Sequence, residues 1–146
     1  MRILPPTPAG AFPTASLLPV DVEWARRRLP AVLRKTLEAQ PVGTAFIAGG
    51  YIRSRITSER PNDIDVLVTP EADVESMVAA IAGDMGCIPI RTGNAITLAS
   101  RGQLTVQFIT RWTFPDAISA LASFDFTIAC AALYWNGVSW GGICHK

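Results

Sequence analysis

Residues 46–69 read FIAGGYIRSRITSERPNDIDVLVT. A short apolar run, Thr44 to Ile47, leads into Gly49-Gly50. That pattern predicts a buried strand, a turn, and a helix beginning at Tyr51 with Arg53 one turn in. Ile64 to Thr69 predicts a second strand, rich in β-branched residues and closed by Pro70. Asp63 and Asp65 stand at i and i+2 at its start. Residues so spaced in a strand face the same side. The two carboxylates are therefore presented together, while Ile64 points into the opposite layer.

Each part has a chemical use. A glycine pair lets backbone approach a ligand that a Cβ would exclude. The free N–H groups of a helix start, with the helix dipole, favour an anion such as a triphosphate. Arg53 adds a charge-assisted contact to that anion. Two adjacent carboxylates repel unless a cation sits between them. Mg²⁺ (or Mn²⁺) suits them, because Mg²⁺ takes one or two carboxylates plus phosphate oxygens and water. Taken singly, a glycine pair is usually a turn, an Asp-x-Asp an exposed strand edge, and an arginine a surface charge. Their conjunction is what points to a site.

The stretch resembles the head domain of CCA-adding enzymes and bacterial poly(A) polymerases, within the DNA polymerase β-like nucleotidyltransferase superfamily. The signature of that head is GGxVRDxLLGRxPxDxD. Gly49, Gly50, Ile52, Arg53, Ile56, Pro61, Asp63 and Asp65 fall in it without insertion or deletion. Weaker likeness extends over about 46–111, because LTVQFITR resembles a later strand that ends in an arginine. Ser54 replaces the signature's aspartate, and Thr57, Ser58 and Glu59 replace its Leu-Gly-Arg. The resemblance implies an α+β fold, a mixed β-sheet flanked by helices. It implies that Asp63 and Asp65 are catalytic and hold Mg²⁺, and that Gly49, Gly50 and Arg53 bind a nucleoside triphosphate. The implied reaction moves a nucleoside monophosphate to a hydroxyl of RNA, tRNA or another acceptor. The superfamily commonly carries a third carboxylate on a later strand. Gln107 holds the best-placed position, and an amide carries no charge. Asp125 is the other candidate, with a helix or turn cap between Phe124 and Phe126 as its plainer role.

Working outward, residues 1–20 are rich in proline and small residues and predict an extended arm, leaving 21–146 as the folded domain. Asp21 is read as the N-cap of a first helix, and Pro30 as its kink or the start of a second. Leu29, Val32, Leu33 and Leu37 recur at helical spacing. Arg26, Arg27, Arg28, Arg34 and Lys35 crowd the other positions, as a solvated face or a docking surface for phosphates. Ala72 to Met85 predicts a helix ended by Gly83 and Gly86. Strands are expected over Ile88–Ile90, Ala95–Ala99 and Leu104–Thr110, with Gln107 pointing toward the aspartates. A helix runs from Pro115 to about Ser123. Phe126 to Trp135 reads as a strand, turned at Asn136-Gly137 by a type I′ hairpin.

The chain has 146 residues, 49% of them hydrophobic, enough for one domain with a core. Its 13 basic and 12 acidic residues give a net charge of +1, which neither demands nor excludes a polyanion. Three scattered cysteines (Cys87, Cys130, Cys144) and one histidine form neither a disulfide framework nor a zinc pattern. Cys87 and Cys130 read as small buried residues. No signal peptide and no run of about 20 apolar residues is evident. The expectation is a soluble cytoplasmic protein. Two other functions stay open. One is a nucleotide- or nucleic-acid-binding module on the same fold, catalytically weak or inactive. The other is an interaction scaffold using the arm and an exposed Trp135 and Trp140.

Overall fold

The computed structural model describes residues 2–3, 5–6, 8, 13–58, 61, 63–123 and 131–145; of Arg2, Arg53, Ile56 and Thr57 it describes the backbone alone. Its centre is an eight-stranded sheet. The strands are β2 (Thr14–Ser16), β3 (Ala45–Ala48), β4 (Asp63–Val68), β5 (Ile90–Arg91), β6 (Ala95–Leu98), β7 (Thr105–Ile109), β9 (Ala131–Trp135) and β10 (Trp140–His145). Their order is β2-β10-β9-β3-β4-β7-β6-β5. Only β4 and β7 pair in parallel. Two short strands, β1 (Arg2–Ile3) and β8 (Trp112–Thr113), make a separate parallel pair. The helices are α1 (Pro19–Arg28), α2 (Ala31–Glu38), α3 (Gly50–Thr57), α4 (Val74–Met85) and α5 (Ala117–Ala122). The mixed α+β sheet flanked by helices is the architecture expected.

The alternation of β4 decides what lies on each face. Ile64, Val66 and Val68 join a core built from α1, α2, α3 and α4, including Leu33, Tyr51, Met77 and Ile81. Leu67 faces the other way, toward Phe46, Phe114 and Leu121 of α5. Asp63 and Asp65 share Leu67's parity, so they lie on the face that α5 covers only in part. This burial is the dominant stabilisation: each fully enclosed side chain of this size contributes roughly 1.5–3 kcal/mol relative to exposure.

Several boundaries differ from the sequence reading. Asp21 is not a cap: α1 begins at Pro19, whose fixed φ suits a first helical position. Asp21 sits in the first turn and accepts from Arg55 Nε at 3.0 Å. Pro30 starts α2. Gly83 lies inside α4, and Gly86 alone, with φ 67°, ends it. Asp73 and Asp116 cap α4 and α5, accepting from Ser76 N (3.1 Å) and Ser119 N (2.7 Å), so α5 starts after Pro115 and not at it. Of Ile88–Ile90 only Ile90 is strand, and Ile88 is 88% exposed. Within the proline-rich stretch, β2 adds to the sheet edge against β10.

The hairpin between β9 and β10 turns at Gly137-Val138, one residue later than expected. Gly137 has φ 96°, while Asn136 and Val138 are not at positive φ. A type I′ turn needs positive φ at both central residues, so this turn is not I′. Asn136 Oδ1 instead accepts from Val138 N and Ser139 N, both at 2.9 Å. Trp135 and Trp140 are half-buried, not exposed. Their ring centroids are 6.2 Å apart, and Trp140 Nε1 donates to Glu38 at 2.9 Å. Cys87 is half-buried against the main core; Cys130, Asp125 and the first half of the run 126–135 lie outside the described residues.

Candidate functional site

The site begins where β3 hands over to α3. Ala48 is fully buried and paired with Asp65 across the antiparallel β3–β4 ladder. Gly49 follows at φ 87° and ψ −146°, a conformation that L side chains rarely adopt. It turns the chain abruptly into α3, whose first residue is Gly50. Gly49 offers no side-chain cap, so the first N–H groups of α3 have none from that position. A Cβ built on Gly49 would lie 3.3 Å from Asp65 Oδ2. The missing side chain is thus room beside the carboxylate.

Asp63 and Asp65 occupy the same face of β4, as their spacing predicted. Asp63 is exposed and Asp65 half-buried. Burial, and then the negative charge of Asp63, push the Asp65 carboxyl up to about 6. A cation held between the two would relieve both causes, and carboxylate oxygens are the donors Mg²⁺ takes. With the room left by Gly49, the residues present fit such an ion. Among the described residues no three His, Cys, Asp or Glu side chains cluster as a metal site.

The neighbour across β4 is Gln107. It pairs with Asp65 in the parallel β4–β7 ladder, and Thr105 pairs with Asp63. Gln107 therefore shares the face of the aspartates. Thr97 of β6 extends the row, paired with Gln107. Sequence reading missed Thr97 and Thr105. Their alternation within AITL and TVQFI hinted at an open face, but nothing local specified the partner strand.

Arg53 lies on α3 one turn past the glycines, and its side chain is outside those described. Ser54, where the signature has aspartate, is buried and donates to the Tyr51 carbonyl at 2.6 Å. The basic residues of α1 and α2 sit in the helical layer, away from the aspartate face. Arg26 and Arg27 pair with Glu23, and Arg28 stacks on Trp24 at 4.3 Å. That is a solvated, internally paired face. No helix among the described residues is long and apolar enough to cross a membrane.

Solved structures of CCA-adding enzymes share this fold. A Thermotoga maritima CCA-adding enzyme complexed with tRNA superposes with a TM-score of 0.62 at 14% identity, covering 91% of this chain and 32% of that one. A CCA-adding enzyme with CTP gives 0.58 at 15%, covering 88% and 29%. A tRNA nucleotidyltransferase with a primer tRNA and an incoming ATP analog gives 0.54 at 21%, covering 70% and 31%. This chain spans about a third of their length, and at such identities the likeness is one of fold. A comparison with curated protein sequences finds no match. A family model matches the sequence over residues 25–139, from α1 through the β9–β10 turn and both aspartates. The chain belongs to the Gabija anti-defense 2 family.

Proposed function

We propose that the chain is a metal-dependent nucleotidyltransferase-type domain that binds a nucleoside triphosphate and transfers its nucleoside monophosphate to a hydroxyl acceptor. The observation that carries this reading is the side chain of Asp65 set against the empty Cβ position of Gly49, at the head of α3. Asp63 and Asp65 would hold Mg²⁺ (or Mn²⁺). Gly49 and Gly50 give phosphate oxygens close access to backbone N–H groups, and Arg53 stands on the same helix. Held by Asp63 and Asp65, a divalent cation would supply charge stabilisation for the transferring phosphoryl group.

RNA or tRNA is one acceptor class, by analogy with the tRNA-bound neighbours. The family's anti-defense description suits a second, a protein hydroxyl, since modifying a defence protein is one way to silence it. A cytoplasmic setting agrees with the free thiols of Cys87 and Cys144. The competing reading is a nucleotide-binding module without transfer, which the neutral Gln107 across from Asp65 favours.

The test is thermal stability of the purified chain with ATP, CTP, GTP or UTP plus Mg²⁺ or Mn²⁺, together with transfer from α-labelled triphosphates. A bound nucleotide raises the melting temperature by mass action. The double variant Asp63→Asn, Asp65→Asn should lose that rise. An equal rise in the double variant overturns the assignment. A rise in the wild type without label transfer to RNA or protein selects the binding module.

A further inference from the structure

A single row of side chains crosses five strands on the aspartate face. From β9 to β6 it reads Ala132, Ala48, Asp65, Gln107, Thr97. Asp65 therefore has two unlike sides. Toward β3 and β9 stand two buried alanines and the bare Gly49. Toward β7 and β6 stand an amide and a hydroxyl, with Thr105 completing the group beside Asp63. Gln107, Thr97 and Thr105 are half-buried, and none makes a side-chain hydrogen bond among the described residues.

Half-buried polar groups without partners are usually satisfied by water or by a ligand. Adjacent strands lie ~4.8 Å apart. Gln107, across from Asp65, and Thr105, across from Asp63, are thus the two positions on β7 from which a further side-chain oxygen reaches a cation at the aspartates. An amide oxygen there brings no charge. A second Mg²⁺ on this side would meet the amide of Gln107 and the hydroxyl of Thr105, a weak set for an ion that selects carboxylate and phosphate oxygens.

We infer that Gln107 restricts the site to one divalent cation and, with Thr97 and Thr105, forms the uncharged side on which the acceptor hydroxyl is held. This rests on the reading of Asp63 and Asp65 given above. With the triphosphate on the Gly49-Gly50 side, in-line displacement brings the acceptor from the Gln107 side. The acceptor oxygen bonds to the α-phosphorus. The bond from that phosphorus to the bridging oxygen breaks, and pyrophosphate leaves with the electron pair. The hydroxyl proton passes to water, because an amide does not take it. Gln107 is then a specificity-determining residue for ion number.

Counting Mn²⁺ by electron paramagnetic resonance, on the whole chain with α,β-methylene-ATP, tests this without turnover. The wild type should bind one ion per chain. Gln107→Asp should bind two, the second at least about tenfold more tightly than any second ion in the wild type. Thr105→Asp, a carboxylate across from Asp63, should also gain an ion, which covers the case of a Gln107→Asp chain that does not fold. Thr97→Asp, two strands from Asp65, should stay at one. Two ions in the wild type overturn the inference and leave the aspartate assignment standing. So does a count of one in a folded Gln107→Asp or Thr105→Asp chain. No ion in the wild type overturns the aspartate assignment itself, and this inference with it.

Discussion

The carboxylate of Asp65 rests beside the Cα of Gly49, with Oδ2 only 3.3 Å from where a Cβ would be. Gly49 also holds φ 87°. Gly49→Ala therefore meets two costs at once. Positive φ for an L residue costs about 1–2 kcal/mol, and the methyl pushes on the carboxylate. The expected outcome is a melting temperature lower by roughly 3–8 °C and loss of the metal-nucleotide stabilisation. Calorimetry with and without Mg²⁺-ATP reads both, and a wild-type response in Gly49→Ala refutes the placement of the ligand.

Asp65 makes stability depend on pH in a defined window. Its carboxyl titrates near 6 in the folded protein against 3.8 ordinarily, first because it is buried and second because Asp63 repels its charge. Between those values the folded state binds the proton more tightly than the unfolded chain. This contribution is present in full below about 3.8 and is lost as pH rises through about 6. Asp65→Asn removes the dependence. At pH 8 without metal it should be more stable than wild type by on the order of 1–2 kcal/mol, after allowance for partial exposure. Urea melts from pH 4 to 8 should show that advantage shrinking toward acid. A difference independent of pH contradicts the assignment.

Tyr51 ties the site helix to the first helix of the domain. Its hydroxyl donates to the Ala25 carbonyl at 2.6 Å in a buried setting, and burial pushes its pKa up, so it stays protonated. Tyr51→Phe leaves that carbonyl short of a partner, at a cost of about 1–3 kcal/mol. Denaturant unfolding should register the loss with an unchanged m-value.

The two glycines of β10 should respond oppositely. A Cβ at Gly142 would collide with Leu17 and lie 2.8 Å from the Ala132 carbonyl oxygen, which the ladder holds in place. At Gly141 the nearest atom is Tyr134 Cε2 at 3.9 Å, an ordinary contact. Gly142→Ala should cost about 1–3 kcal/mol, while Gly141→Ala should change stability by less than about 0.5 kcal/mol. Equal effects in paired urea melts would mean that β2 and β10 do not pack as described.

What the sequence determined by itself was the local frame of the site. The i, i+2 spacing of Asp63 and Asp65, the apolar run into Gly49-Gly50, and the β-branched run after the aspartates each follow from period and residue type. So did the shared face of the two carboxylates. Boundaries slipped where a residue has two uses: Asp21 as cap or first-turn charge, Gly83 as helix end or interior, Asn136 as turn centre or side-chain acceptor. The likeness of LTVQFITR to a later strand had already set Gln107 toward the aspartates, as the β4–β7 ladder has it. The tertiary structure alone decided the rest of the strand order, with Thr105 across from Asp63 and Thr97 one strand further out. It also put the arginines of α1 and α2 on the far side of the sheet. Alternation along a strand tells which face a side chain takes, because each residue inherits its direction from the one before. Partner and register are chosen by the burial of whole faces, and no single segment carries that information.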